Sequence, residues 1–331
     1  MVLRVSFGAS IFFAALTMLT FRVSDVTSWR GRLHNGWWLA KVIVLVGTVC
    51  ASVFGVSADA ANAYGQLARV GGGAFLMFQW IILLAIVYNV NDWMLREDVW
   101  EGAGRFLLPL GTFITYGAGF ALVGFAFHVF APSGSCSLNI GIVCICLLFG
   151  AVHVFLSLKA QIEHAGLFTS ACVFAYMAFL TVSALGAEPD AYRCNTLKDT
   201  NEDGERTVGW SEVVSFVIAF GTVFVSAFTA GGRRDAFRVS KESSSDDVAK
   251  GVLEDDRPQY SYAFSNFALV LSSMYGSMLL LSWQLGTTQG VLSIQDGWAA
   301  MWVQVVSGWL GGLLYMWSLL APVVFPDRTF E

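Results

Sequence analysis

A chain of 331 residues with 56% hydrophobic and only 13% charged side chains lies far from the roughly 25% charged residues of water-soluble domains. A large water-soluble core is excluded. The net charge of −5 also argues against a nucleic-acid partner, because the acid gathers in loops near 188–205 and 242–256 and no basic face offsets it.

Nine apolar stretches follow one another, beginning near Val2, Trp37, Val70, Phe106, Ile140, Leu167, Trp210, Tyr262 and Trp298. Each approaches the roughly 20 residues that a helix needs to cross a hydrocarbon core of about 30 Å. A transmembrane β-barrel would show stretches of alternating polarity, whereas 140–158 is apolar all round. The pattern predicts an all-α, polytopic helical membrane protein of about nine transmembrane helices, taken as one domain over residues 1–331. Each crossing satisfies its own backbone hydrogen bonds, which is why helices are favoured.

The first stretch, Met1 to Phe21, has one Arg and an apolar run, as a secretory signal does, but no small-x-small cleavage site follows it. It is assigned as a span. Arg22, Arg30 and Arg32 precede the second stretch, which opens with Trp37 and Trp38 and carries Lys41 one turn inside. The third holds Gln79 near its middle and Asp92, Glu97 and Asp98 at its end; the fourth carries Gly111, Gly117, Gly119 and Gly124. His153 lies about one turn from the end of the fifth. Residues 186–208 form a loop, and Glu212 caps the seventh stretch. The longest loop, 231–259, is predicted to be a flexible acidic and Ser-rich tether. In the ninth stretch Gln304 is the midplane polar residue, and Gly308, Gly311 and Gly312 form small-residue notches of the kind that let helices pack closely.

Orientation follows from Lys and Arg, which favour the cytoplasmic side of short loops. Threading nine spans places fourteen of the nineteen on one side and only Arg4, Arg69, Arg193, Lys198 and Arg206 on the other. The N-terminus is therefore expected outside, or in a lumen, and the C-terminus in the cytosol, in an endomembrane or the plasma membrane. Trp37, Trp38, Trp93, Trp210, Trp283 and Trp298 fall at predicted span ends, where indoles prefer the headgroup boundary.

Cys50, Cys144, Cys146 and Cys172 lie within spans, where cysteine is usually a small apolar filler. Cys136 and Cys194 occupy outside loops, in a compartment that permits disulfides, and are the candidate pair. The Cys144-x-Cys146 spacing brings no third ligand, so no metal site is expected. No nucleophile elbow, phosphate-binding loop, metalloprotease motif or dinucleotide fingerprint occurs. The expectation is a protein that is not an enzyme and needs no cofactor. Ionisable residues inside spans mark ion-coupled transport, and this chain has almost none. A weakly polar lipid route is the alternative, with Lys41, Gln79, Asp92, His153 and Glu212 as candidates to line it.

The run His34-Asn35-Gly36-Trp37-Trp38 with Lys41 resembles the H-N-G-x-W-x-x-K helix entry of the serine incorporator (SERINC) family. Further stretches fall in the family's order: Gln79 with Asn91-Asp92, Ser135-Cys136-Ser137, Glu188-Pro189 before Cys194-Asn195, and Tyr260-Ser261-Tyr262. The closing stretch from Trp298 to Phe330 resembles the family's last helix and its A-P-x-V, D/N-R-x-F ending. Relative to the family's ten helices, this sequence begins where the second is placed. The family has an acidic residue where this chain has Ala85 and a lysine where it has Gln304, which suggests two charges that compensate each other in relatives.

The resemblance implies a lipid-handling role, either ATP-independent phospholipid scrambling or support of serine-lipid synthesis. It makes membrane lipids the expected partners. Two other roles stay open: an accessory subunit of a larger membrane complex, or a carrier of serine or another small solute. The oligomeric state is not legible.

Overall fold

The structure, a computed structural model, describes residues 1–23, 25, 27–96, 104–159, 166–189, 192–194, 214, 217, 218, 221, 261–281 and 292–324. Among these residues all regular structure is helical. The helices are α1 (Val2–Leu19), α2 (Trp29–Asn35), α3 (Trp38–Gly55), α4 (Ala58–Leu95), α5 (Arg105–Phe130), α6 (Ser137–Lys159), α7 (Leu167–Gly186), α8 (Tyr262–Leu280) and α9 (Leu292–Val324). All but the short α2 are long and apolar enough to cross a membrane, giving 8 candidate spans among the described residues. They match eight of the nine predicted stretches. The stretch opening at Trp210, with Glu212, and the loop 231–259 lie outside the described residues.

The largest boundary difference is in the third span. The third span was expected from Val70, but α4 starts at Ala58 and runs 38 residues, about 57 Å at 1.5 Å per residue. Residues 58–69 are rich in helix-forming Ala and contain no proline, so the helix continues beyond its apolar segment. A count of apolar residues sees only the part that lipid would cover.

Where the hydropathy pattern suggests one domain, packing sorts the chain into two compact units, Met1–Phe75 with Val213–Leu281, and Leu76–Glu212 with Ser282–Phe330. In the first, α1 lies against α3 and α8. A Cβ on Gly8 would sit 2.5 Å from Ser52 Oγ and 2.8 Å from the Thr48 carbonyl oxygen, so this contact needs glycine. Beside it Ser52 Oγ donates to the Arg4 carbonyl at 2.6 Å, and Arg4 Nη1 donates to the Val53 carbonyl at 3.0 Å. On its other flank, Tyr64 Oη of α4 bonds Ser6 Oγ and Ser10 Oγ at 2.7 Å each, and Ser10 Oγ meets Ser273 Oγ of α8 at 2.6 Å. Three helices are thus joined by hydroxyl groups.

In the second unit α7 is enclosed by α5, α6 and α9. Phe174 of α7 fills two glycine notches: a Cβ on Gly119 of α5 or on Gly150 of α6 would stand 2.7 or 2.6 Å from its ring. Trp80, fully buried, lies against Gly311 of α9 and meets Tyr176 edge to face at 4.7 Å. The buried residues of α6, Asn139, Ile142, Val143, Cys146, Gly150, His153 and Ser157, recur at steps of three and four. That is the seam spacing of packed helices.

Candidate functional site

Three polar constellations emerge, two in the second unit and one in the first. In the second unit, Cys136 and Cys194 form a disulfide with their Cα atoms 5.8 Å apart. The predicted pair is bonded. Close in sequence, Asn139 Nδ2 donates to the Phe130 carbonyl at 2.8 Å and to Glu188 Oε2 at 3.2 Å, all within protein. Asn139 and Glu188 are both fully buried. The amide therefore links the end of α5, the start of α6 and the segment after α7. A carboxyl group buried this way requires a hydrogen-bond partner.

Deeper in the same unit, His153 is fully buried and its Nε2 lies 3.1 Å from the Gly312 carbonyl. A carbonyl only accepts, so Nε2 carries the proton and Nδ1 is left as an acceptor. The ring meets Tyr315 edge to face at 5.0 Å. Tyr315 Oη in turn bonds Ser157 Oγ at 3.0 Å and Thr169 Oγ1 at 2.9 Å, joining α9 to α6 and α7. Tyr88 Oη of α4 reaches Ser318 Oγ at 2.8 Å. Sequence inspection singled out His153 but missed Tyr315, Ser157, Thr169 and Tyr88. Hydroxyl residues scarcely alter hydropathy, and these four lie on four different helices, so no periodicity of one segment marks them.

In the first unit the family-like motif closes on itself. Ser28 caps α2 by accepting from the Gly31 amide at 3.1 Å. After Gly36 the backbone of Trp37 adopts φ 59, a left-handed conformation uncommon for a non-glycine residue, and α3 begins. Lys41 Nζ then reaches back to donate to the His34 carbonyl at 2.5 Å and lies 4.1 Å from the centre of the Trp38 ring. The His34 ring stacks on Tyr262 at 4.0 Å, and Asn35 Nδ2 donates to Tyr262 Oη at 3.1 Å. Burial, and secondarily the charge of Lys41, pushes the His34 imidazole down to about 4. It is neutral at physiological pH.

The candidate lipid-route residues are divided between the two units. Lys41 belongs to the first unit and Gln79, Asp92 and His153 to the second; Glu212 lies outside the described residues. Gln79 is 1% exposed and His153 0%, so both face protein, while Lys41 and Asp92 are partly exposed. Of the three packing glycines, Gly311 abuts Trp80, a Cβ on Gly312 would stand 3.0 Å from Met177 and Phe149, and a Cβ on Gly308 would make only an ordinary contact with Leu180 at 3.9 Å. Ala85 is exposed whereas Gln304 is buried. The suggested compensation between charges at these two positions is not supported by that placement, because a residue at 85 points away from the packed interior. Cys144 is exposed and Cys146 buried, as expected of residues two apart on a helix.

Helices of spanning length, seams built from small residues and hydroxyls, and indoles at span ends define an integral, multi-pass helical membrane protein. A sequence model described as "Serine incorporator (Serinc)" matches residues 1–252 and 238–328, and the chain belongs to that family. It is 26% identical to a probable serine incorporator of Nematostella vectensis, with 100% of this chain and 80% of the relative aligned. Against a probable serine incorporator of Monosiga brevicollis and serine incorporator 2 of Homo sapiens the identity is 27% in each case. All of this chain is again covered, with 78% and 79% of those relatives.

Proposed function

We propose that this chain facilitates lipid handling in its membrane, by ATP-independent movement of phospholipid headgroups between leaflets or by supporting the synthesis of serine-derived lipids, without being an enzyme itself. The carrying observation is the chemistry of the helix contacts. The seams through Ser6, Ser10, Tyr64 and Ser273, and through Ser157, Thr169 and Tyr315, are hydroxyl to hydroxyl. Bonds of this kind contribute only about 0.6 kcal/mol on average inside a membrane, so they exchange partners at little cost. A zwitterionic headgroup carries dipoles and no net charge, and uncharged donors and acceptors suit it better than a fixed ion would.

The charge distribution supports an outside or lumenal N-terminus and a cytosolic C-terminus. Labelling terminal tags with an impermeant reagent tests this: reaction of both tags in intact cells contradicts it. For the activity itself, fluorescent phospholipids in liposomes carrying the purified protein should become accessible to an impermeant quencher beyond the outer-leaflet fraction, with no nucleotide present. Kinetics equal to those of empty liposomes would refute the proposal.

A further inference from the structure

The α2–α3 corner joins a fixed cation to an unusually bare apolar helix. Lys41 Nζ is anchored by the His34 carbonyl and the Trp38 ring, which uses one of the three N–H donors of an ammonium. Arg32 is exposed close by in sequence. Arg30, by contrast, is spent on the end of α1, with Nε on the Leu19 carbonyl at 2.6 Å and Nη2 on the Phe21 carbonyl. The Asp25 carboxylate is occupied by the amide and hydroxyl of Thr27, 2.7 Å each. Trp29, Trp37 and Trp38 are 61%, 72% and 68% exposed, far beyond what a large indole tolerates against water and typical of rings set at a headgroup boundary. Below them Leu39, Val42, Ile43 and Val46 of α3 are also exposed, and Ser52 is the only buried residue of that helix.

We infer that this corner binds a phospholipid, its phosphate on the Lys41 ammonium with Arg32 adding positive charge, and its acyl chains laid along α3. The anchored ammonium presents two remaining donors to phosphate oxygens, and a charge-assisted contact of this kind is short and strong. The cation–apolar succession matches a phospholipid more closely than free phosphate, which would leave the α3 surface uncovered. Arg22, Arg30, Arg32 and Lys41 stand against the single Asp25 carboxylate between residues 22 and 41, so the net charge of this segment is positive and an anionic headgroup is preferred over a zwitterionic one. The inference deepens the proposed function and rests on it for the class of ligand, but its readout is binding and not transbilayer movement.

The full chain, purified in detergent, is titrated with dioctanoyl phosphatidylserine, dioctanoyl phosphatidylcholine, dioctanoylglycerol and inorganic phosphate, and retained ligand is followed by native mass spectrometry. Phosphatidylserine should bind most tightly and weaken as salt is raised. Lys41→Gln should lower its affinity about tenfold, the scale of one lost charged hydrogen bond. Lys41→Arg should retain most of it, and Arg32→Gln should show a smaller loss. Should Lys41→Gln fail to fold, Arg32→Gln and the salt series still decide. Unchanged affinity in the folded glutamine variants, dioctanoylglycerol binding as well as the phospholipids, or inorganic phosphate binding equally well would each overturn the site. No phosphatidylserine binding by the native chain with scrambling intact refutes this site alone; scrambling absent with binding intact refutes the proposed function alone.

Discussion

Gly311 offers the sharpest test of how the second unit is packed. A Cβ there would stand 2.1 Å from Trp80 Cε2, 2.2 Å from Cδ2 and 2.5 Å from Nε1. Carbon atoms rest at about 3.5–4.0 Å, so the indole would have to withdraw by roughly 1.4 Å or α9 would have to move. Trp80 is fully buried and backed by Tyr176, so neither shift is free, and overpacking of this sort costs about 1–3 kcal/mol. At about 2–4 °C per kcal/mol for a unit of this size, Gly311→Ala should lower the thermal midpoint of the detergent-purified protein by several degrees. Gly308→Ala is the matched control, since its Cβ would meet only Leu180 at 3.9 Å, and it should change stability by no more than about 0.5 kcal/mol. Adding Trp80→Leu to Gly311→Ala should cost less than the two single effects together, because the smaller side chain relieves the clash. Equal midpoints for the two alanine variants, or strict additivity with Trp80→Leu, would show that the Trp80–Gly311 contact does not set the packing.

The Cys136–Cys194 bond closes a separation of 58 residues, for which chain entropy predicts about 4 kcal/mol of stabilisation; Cys136→Ser, Cys194→Ser and the double variant should therefore lower the midpoint by the same amount. Tyr315→Phe removes two interhelical bonds and should cost about 1–3 kcal/mol by the values seen inside membranes, whereas Ser318→Ala, which leaves Tyr315 Oη untouched, should cost less by the same melting assay. His34 is held at about 4 against 6.5 for the free side chain, so between these values the unfolded chain binds more protons than the folded one. The stability contributed by neutral His34 is complete above about pH 6.5 and is lost as pH falls toward 4. A pH series of melting midpoints should fall across that window for the native chain and be flatter for His34→Gln.

Much of this molecule could be read from residues alone, and the parts that could share a cause. The start of α7 at Leu167 and that of α8 at Tyr262 fall where the apolar stretches begin, because lipid imposes a minimum length on every crossing. The disulfide was legible because the expected span count leaves Cys136 and Cys194 as the two cysteines in loops expected on the same side. Lys41 and the residues before it were recognised as a motif, but their purpose required coordinates: an ammonium folding back onto the carbonyl of residue 34 has no signature in hydropathy. The length of α4 was missed because helix propensity carries the chain on from Ala58, well before the lipid-covered stretch starts. Gln79 and His153 prove to be buried, which polarity within a span does not reveal, because it does not say which way a side chain faces.

That last distinction explains why the facing of the spans resisted sequence reading. The α3 and α7 segments have nearly the same mean hydropathy, yet α3 buries only Ser52 while α7 buries every residue from Thr169 to Leu185 except Cys172, Ala175 and Ser183. In water such a difference would be written as an amphipathic stripe. In a bilayer both environments are apolar, so leucine costs nothing on either side and the stripe vanishes. What separates the two helices is steric and polar detail: α7 offers Thr169, Ser170 and Thr181 for bonding and Phe174 for insertion between glycines of its neighbours, whereas α3 offers branched aliphatic side chains that lipid tails can pack against. A substitution series makes the contrast measurable. Val42→Ala and Ile43→Val on α3 should leave the melting midpoint within about 0.5 kcal/mol of the native value, while Phe174→Ala should cost about 3–5 kcal/mol by emptying the space between Gly119 and Gly150. Comparable losses at both helices would mean that α3 is covered by protein after all, and that its bare surface is not where lipid lies.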